Sequence, residues 1–416
     1  MNKRGHRRRG FYASVSIAKN VLYCAHGPKL CLEPKDGKPP FYKCSAFRNA
    51  TACAKDDRLT KSLLKCQIKS ESLFHVGRRN RYFCQTCQML FIGPSSEHQT
   101  HRIKSSLSKA MLSMPSYLLE PLEESSEHAQ YFFSIEWLNF MLSTLHALRI
   151  DNVLCVGSPR LFDFLSACGK KTHKPLSVRK FLLDLDVRLA SFYPPSLFAR
   201  FNALNGYFFS PAEEESARTF MHSCNGNTLI FCDPPFGVFM EPLVETLNRL
   251  KEEIGCSNTF MMVTIPYFIG RKLIQVAPLM KMLDYKVTYE NHVRFMSSGH
   301  DGNNSKRRVS VVRLFTDAPA HKIVPPKTIA DDYWFCESCQ RYSDIKNKHC
   351  NMCNACTTPH GETYVHCKPC GTCQPPSYQH CDVCNTCFRP QEGTFHECAE
   401  QTFTSHREPK RRKTYT

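Results

Sequence analysis

Asp233-Pro234-Pro235-Phe236 follows directly on the apolar run Leu229-Ile230-Phe231-Cys232 and is the tetrapeptide of this sequence best suited to chemistry. Two consecutive prolines fix φ and remove backbone donors, so the turn is stiff and its carbonyls project outwards. A carboxylate oxygen of Asp233 and the Pro234 carbonyl can each accept one N–H of an amine whose lone pair is conjugated with an aromatic ring. Phe236 can stack on that ring. Such an amine is a poor nucleophile, but it needs no strong base. Holding it in line with an electrophilic methyl group on sulfur can contribute ~7–11 kcal/mol through near-attack geometry. On the tetrapeptide alone, a proline-rich turn after a strand is an equal alternative; the buried strand before it and a cofactor signature upstream favour the chemical reading.

That signature is Val153-Leu154-Cys155-Val156-Gly157-Ser158-Pro159-Arg160. A glycine after a first strand lets the backbone approach a ligand closely, although Gly157 stands alone and not in the GxGxxG of dinucleotide sites. Asp184, at the end of the next apolar run, is placed to accept hydrogen bonds from ribose hydroxyls; for Asp184 or nearby Asp186, a solvated strand-end acid is the competing reading. Gln130-Tyr131-Phe132-Phe133 is an aromatic cluster with one amide, suited to core or to a cofactor wall.

Cysteine and histidine supply a second chemistry. Cys24 and His26 are followed by Cys44 and Cys53, four ligands that suit tetrahedral zinc, with Cys31 and Cys66 as alternatives. This stretch looks like a GRF-type finger. Cys84, Cys87, His98 and His101 have the ligand order of a C2H2 finger, and Arg78, Arg79 and Arg81 beside them could meet phosphate.

Of the 24 cysteines, 12 lie between Cys336 and Cys398, where His-Cys-x-x-Cys-x-x-Cys recurs from His349, His366 and His380. One partition uses each ligand once: Cys336, Cys339, His349 and Cys356; Cys350, Cys353, His366 and Cys373; Cys367, Cys370, His380 and Cys387; Cys381, Cys384, His396 and Cys398. Each module lends a ligand to the next site, so the knots interlock. The block resembles the cysteine-rich domain of palmitoyl-transferases without their Asp-His-His-Cys, which makes it structural.

The elements that must position these groups alternate in type between residues 115 and 318. Helices are expected over Ile135 to Leu148, Arg160 to Ala167, Glu241 to Glu253 and Arg271 to Leu283. Strands are expected over Val153 to Val156, Phe181 to Asp184, Leu229 to Cys232 and Thr259 to Ile265. Tyr285 to Tyr289 and Val309 to Phe315 read as an antiparallel pair joined by the polar loop 297–308, whose Lys306, Arg307 and Arg308 could hold substrate. Alternating buried strands and helices imply a mostly parallel, doubly wound sheet.

Around this domain, residues 1–19 and 401–416 read as basic tails, 20–70 and 78–104 as the two fingers, 319–332 as a linker and 333–400 as the Cys/His-rich domain. In that last domain metal must replace an aliphatic core. The net charge of +18 across 416 residues points to a polyanionic partner. Lys3, Arg4, Arg7, Arg8 and Arg9 at one end, and Lys410 to Lys413 at the other, fit a nuclear or nucleolar address or plain solvated charge. No apolar run is long enough to cross a bilayer, and the first ten residues lack the apolar core of a signal peptide. A reducing compartment, where paired cysteines hold zinc, is therefore expected.

Gln130-Tyr131-Phe132-Phe133, the Val-Gly-Ser-Pro-Arg turn at 156–160, Leu-Leu-Asp-Leu-Asp at 182–186 and Asp-Pro-Pro-Phe-Gly at 233–237 resemble one family over nearly the whole chain. It is the zinc-finger CCHC-domain methyltransferases that make N6-methyladenosine in large-subunit ribosomal RNA. The resemblance implies a class I, Rossmann-like methyltransferase domain flanked by N-terminal zinc fingers and a C-terminal zinc domain. It implies S-adenosylmethionine as cofactor, contacted by Gln130 to Phe133, Arg160, Asp184, Asn202, Ala203 and Leu204. Ribosomal RNA is the implied partner, with ribosome-assembly proteins as further ones, for a monomer of the nucleus and nucleolus and alternatively the cytoplasm. Spacing alone leaves DNA adenine, protein glutamine or a non-catalytic RNA-binding scaffold as alternatives.

Overall fold

The computed structural model describes residues 12–17, 22–47, 50–66, 68–121, 130–168, 178–291, 310–358 and 363–390. Two compact units divide the chain between residues 324 and 325.

The first unit is organised by an eight-stranded sheet. Its strands are β1 (Asn152–Val156), β2 (Arg179–Asp184), β3 (Phe198–Asn202), β4 (Tyr207–Phe208), β5 (Thr228–Cys232), β6 (Thr259–Pro266), β7 (Lys281–Lys286) and β8 (Val312–Thr316). Their order is β4-β3-β2-β1-β5-β6-β8-β7. β3, β2, β1, β5 and β6 run parallel; β8 enters antiparallel between β6 and the edge strand β7. β1 and β5 are buried at every position because both faces are covered, which explains their unbroken apolar runs.

The helices that accompany the sheet are α1 (Ile135–Ala147), α2 (Pro159–Cys168), α3 (Pro211–His222), α4 (Met240–Ile254) and α5 (Gly270–Val276), and the N-terminal region adds helices at Ala50–Cys66, Ser70–Phe74 and Lys109–Ser113. α1 starts where the Ser134 hydroxyl accepts the Trp137 N–H, and α4 stops at Gly255, whose φ of 67° is the left-handed cap that suits glycine. Chain order reverses between β1 and β5, so β1, β2 and β5 deliver their carboxyl ends to one crevice, the position at which open α/β sheets bind ligands.

Four sequence expectations change, one being that the strand expected over Tyr285 to Tyr289 runs over Lys281–Lys286. The helix expected over Arg271 to Leu283 ends at Val276, because Pro278 interrupts it, and Leu283 belongs to β7. Residues 12–17, drawn into the basic tail, form a strand paired antiparallel with Leu30–Pro34; Val15, Leu30 and Leu32 make a small core with Leu204 and Phe239 against it. The first part of the expected linker packs into the first unit: Ala320 and Ile323 are buried, and Tyr285 donates to the Ile323 carbonyl at 2.7 Å. The loop at 297–308 and the terminal charges at 3–9 and 410–413 lie outside the described residues.

The second unit is a series of short antiparallel ribbons. They are Tyr333–Cys336 with Arg341–Asp344, His349–Cys350 with Ala355–Cys356, Val365–Cys367 with Thr372–Gln374, and Gln379–Cys381 with Thr386–Phe388. Among the described residues, no helix is long and apolar enough to cross a membrane.

Candidate active site and metal centres

A cavity of about 630 Å³ opens at the carboxyl ends of β1, β2 and β5, within the size range of cofactor and ligand sites. Gln130, Tyr131, Phe132, Phe133, Gly157, Arg160, Asp184, Asn202, Ala203, Leu204, Asp233, Pro234, Pro235 and Phe236 all stand in its wall.

The Asp233 loop is fixed at its root. The Asp233 N–H donates to the Val156 carbonyl at 3.1 Å, tying the end of β5 to the end of β1, and its Oδ1 accepts from the Thr264 hydroxyl on β6. Burial pushes the Asp233 carboxyl up to about 8; the Thr264 hydrogen bond opposes this, and the charge of Asp184 adds to it. Gly157 faces this loop with φ at 63°, and a Cβ built there would lie 3.1 Å from the Asp233 carbonyl oxygen. The position thus demands glycine both for its backbone and for space.

Asp184 and Asp186 part company here. Asp186 chelates Arg188, with Nη2 to Oδ2 at 2.6 Å, and accepts from Gln130 Nε2 at 3.1 Å. Burial alone would raise Asp186, but the Arg188 guanidinium overrides it and holds the pKa below the usual carboxylate value. Asp184 accepts the Asp186 N–H at 2.9 Å; burial, then repulsion from Asp186, pushes it up to about 7. The inner acid is therefore the one whose charge a ligand could still stabilise.

Gln130 to Phe133 form an extended strip against residues 288–291. Phe132 N donates to Asn291 Oδ1 at 2.8 Å, Glu290 N to the Phe132 carbonyl at 2.9 Å, and Phe133 bridges to Tyr289. Tyr131 stacks on Phe236 with ring centroids 5.3 Å apart, and Tyr289 closes the group edge-on at 6.3 Å. One face of the Phe236 ring is thus already covered by Tyr131. Arg160 lies between aromatic rings, 3.6 Å from the centroid of Tyr117 and 4.5 Å from that of Phe132, and pairs with Glu290 at 3.1 Å. In this arrangement it braces the wall.

Asn202 stands in the cavity wall and also ties it to the first finger. Its amide donates out of the α/β domain, to the His26 carbonyl at 2.9 Å and the Ser45 hydroxyl at 2.7 Å, while Ala203 and Leu204 line the cavity beside it. Sequence reasoning also missed Thr264, Arg188, Glu290 and Tyr289. Arg188, two residues after Asp186, was the one with a local signal.

Five quartets bring four ligand atoms within 4.8 Å of one another: Cys24, His26, Cys44 and Cys53; Cys84, Cys87, His98 and His101; Cys336, Cys339, His349 and Cys356; Cys350, Cys353, His366 and Cys373; Cys367, Cys370, His380 and Cys387. They are the groups expected from spacing. A tetrahedral centre with sulfur at ~2.3 Å has sulfurs roughly 3.8 Å apart. Cys24–Cys44 at 3.6 Å, Cys339–Cys356 at 3.8 Å and Cys353–Cys373 at 3.7 Å match it. Each histidine of the quartets turns Nδ1 to the sulfurs, for example His26 to Cys53 at 3.4 Å and His101 to Cys87 at 3.2 Å. His26 gives its other nitrogen to Asp56 at 2.8 Å, the carboxylate support usual for metal-bound imidazole.

In the pairs Cys84 and Cys87, Cys336 and Cys339, Cys350 and Cys353, Cys367 and Cys370, and Cys381 and Cys384, the residue after the second cysteine is left-handed: Gln88, Gln340, Asn354, Gly371 and Asn385. Cys31 stands outside the first quartet, and the Cys66 side chain lies outside the described residues. Cys381 and Cys384 form the same knuckle, whereas His396 and Cys398 lie outside the described residues.

Five parallel central strands with an antiparallel strand inserted before one edge and a short antiparallel strand at the other, a glycine turn after β1, an acid at the end of β2 and an Asp-Pro-Pro-Phe loop after β5 define a class I methyltransferase domain. Residues 124–297 match the family model described as probable N6-adenine methyltransferase. The chain is 34% identical over 376 residues to the human rRNA N(6)-adenosine-methyltransferase ZCCHC4, covering 81% of this chain and 71% of that one. It is 35% identical to the mouse protein of that name (82% and 73% covered) and 35% identical to that of Xenopus tropicalis (81% and 75%). The chain belongs to the ZCCHC4 family of rRNA N6-adenosine methyltransferases.

Proposed function

We propose that this chain transfers a methyl group from S-adenosylmethionine to N6 of an adenosine in large-subunit ribosomal RNA. The observation that carries the reading is a single cavity lined by the Gly157 turn, Asp184 and the Asp233-Pro234-Pro235-Phe236 loop together. The chain's own residues suit the cofactor: the Gly157 turn in the cavity wall, where the backbone can approach a ligand, and a buried acid, Asp184, at the strand end where ribose hydroxyls bind in Rossmann-type sites. The bound cofactor would supply the electrophilic methyl group. Asp233 and the Pro234 carbonyl accept the two amine hydrogens, and Asp233 can do so in either protonation state because a neutral carboxyl keeps an acceptor oxygen. Transfer would leave the C–S electron pair on the cofactor's sulfur, and the proton lost by the amine would pass to water. Phe236 orients the base through stacking.

RNA as substrate is supported by the family relatives' own names, by Lys43 and Lys272 in the cavity wall, and by the net charge of +18. The quartets suit zinc, given their thiolate and imidazole donors and tetrahedral spacing, and the spacing of Cys381, Cys384, His396 and Cys398 in the sequence supports a sixth site. A nuclear and nucleolar location follows from an rRNA substrate and basic ends. Side-by-side methyl transfer to ribosomal RNA fragments, duplex DNA and glutamine peptides tests the reading: label should enter RNA as N6-methyladenosine. Label in DNA or peptide alone would overturn it.

A further inference from the structure

The loop between β2 and β3, which starts from Asp184 at the end of β2, is held from two sides, and both holds begin at a Cys/His quartet. On one side His26, 1% exposed, turns Nδ1 to the Cys24, Cys44 and Cys53 sulfurs and gives Nε2 to Asp56 at 2.8 Å. Asp56 lies 3.5 Å from the Arg200 guanidinium, whose Nε donates to the Leu185 carbonyl at 3.0 Å. Asn205, just past β3, secures the same module. Its Nδ2 lies 2.9 Å from the His26 carbonyl, 2.8 Å from the Pro28 carbonyl and 2.8 Å from the Ser45 hydroxyl. Gly27, at φ 88°, meets Tyr207 so closely that a Cβ would overlap its ring.

On the other side Gln88 follows the ligand Cys87 at the left-handed corner of the second knuckle, and its Oε1 accepts from Arg188 Nη1 at 2.8 Å. Arg188 in turn chelates Asp186 and donates to Gln130 Oε1 at 3.0 Å. Cys44 to Phe47, Asp56 and Leu63 of the first module also stand in the cavity wall.

We propose that the two N-terminal metal centres are clamps for cofactor binding: together they fix the 184–188 loop, so that affinity for the cofactor depends on both knuckles being closed. This rests on the reading of the cavity as the S-adenosylmethionine site. The physical basis is the chemistry of buried cations. Arg188 and Arg200 are both buried, and each takes part of its hydrogen bonding from a finger. A buried guanidinium that loses an acceptor must move towards another partner or water, and the loop it holds moves with it.

The test uses the full chain and variants outside both the ligand sets and the cavity wall. In Gln88→Leu and Asn205→Leu, native mass spectrometry reads the metal count and calorimetry reads binding of S-adenosylhomocysteine. The expected result is an unchanged metal count with affinity about tenfold weaker, the scale of one lost hydrogen bond to a charged or buried group. Gln88→Glu keeps an acceptor for Arg188 and restores wild-type affinity. In steady-state assays KM for S-adenosylmethionine rises while kcat at saturation holds, a split that general loss of folded protein does not produce. Affinity within about twofold of wild type in both variants, with metal retained, would overturn the clamp. Failure of the wild-type chain itself to bind S-adenosylhomocysteine would instead overturn the cofactor reading beneath it.

Discussion

The N-terminal fingers and the C-terminal block use the same knuckle for different ends. In the N-terminal pair, His26 and His98 are buried, and the modules hydrogen-bond directly to the α/β domain through Asn202, Asn205 and Arg188. In the C-terminal block, the ligands of the second and third quartets are all half-exposed, and the ribbons between them expose Met352, Val365 and Val383. A metal centre packed on a large core adds rigidity to a neighbour that folds by burial. A metal centre with almost no core must itself be the reason its segment folds.

This contrast predicts that His26→Ala and Cys370→Ala differ in where damage appears. Loss of His26 should lower the stability of the α/β unit by about 3 kcal/mol or more, because it removes a ligand of the first quartet together with the imidazole that Asp56 bonds at 2.8 Å. Loss of Cys370 should leave melting of that unit within ~0.5 kcal/mol of wild type. Segment-resolved hydrogen exchange reads both; equal loss of protection in residues 152–232 for the two variants would erase the distinction.

Gly157→Ala sharpens the α/β side of the comparison. A positive φ and a Cβ 3.1 Å from the Asp233 carbonyl should cost ~1–3 kcal/mol and push the loop outwards. Methyl transfer should fall more than cofactor binding does; a fall in binding alone would mean that the Asp233 loop is undisturbed.

The smallest expected effect is one of pH. Asp184 and Asp233 stand near 7 and 8 without ligand, so each is neutral below its pKa and charged above it. A cationic sulfonium favours the charged forms, and affinity for S-adenosylmethionine should rise about tenfold from about pH 6 to about pH 9. S-adenosylhomocysteine, whose sulfur is neutral, should change far less. Parallel pH profiles for the two ligands would mean that neither acid senses the charge on the cofactor's sulfur.

Much of the site was legible because its residues are local to one element end. A run such as Leu229 to Cys232 can be read as a buried strand, which puts Asp233 at the sheet's carboxyl edge. The quartets were legible because knuckle geometry fixes cysteine spacing. β3 was not, since Phe198-Ala-Arg-Phe-Asn202 carries no aliphatic run; its arginine and asparagine are buried because they bond to the first finger. The strand at 12–17 was lost against the neighbouring charges. Partners such as Asn205 with His26, 179 positions apart, or Asn291 with Gln130, 161 apart, have no trace in local pattern. They emerge only when the chain closes.

The central claim is that the Asp233 loop holds the amine that receives the methyl group. Asp233→Ala in the full chain, assayed for transfer to ribosomal RNA and for S-adenosylhomocysteine binding on the same preparation, tests it most directly. Transfer should fall by about 10²–10³-fold or more, the scale of one lost preorganised contact, with binding within about twofold. Transfer that survives near the wild-type rate would contradict the account.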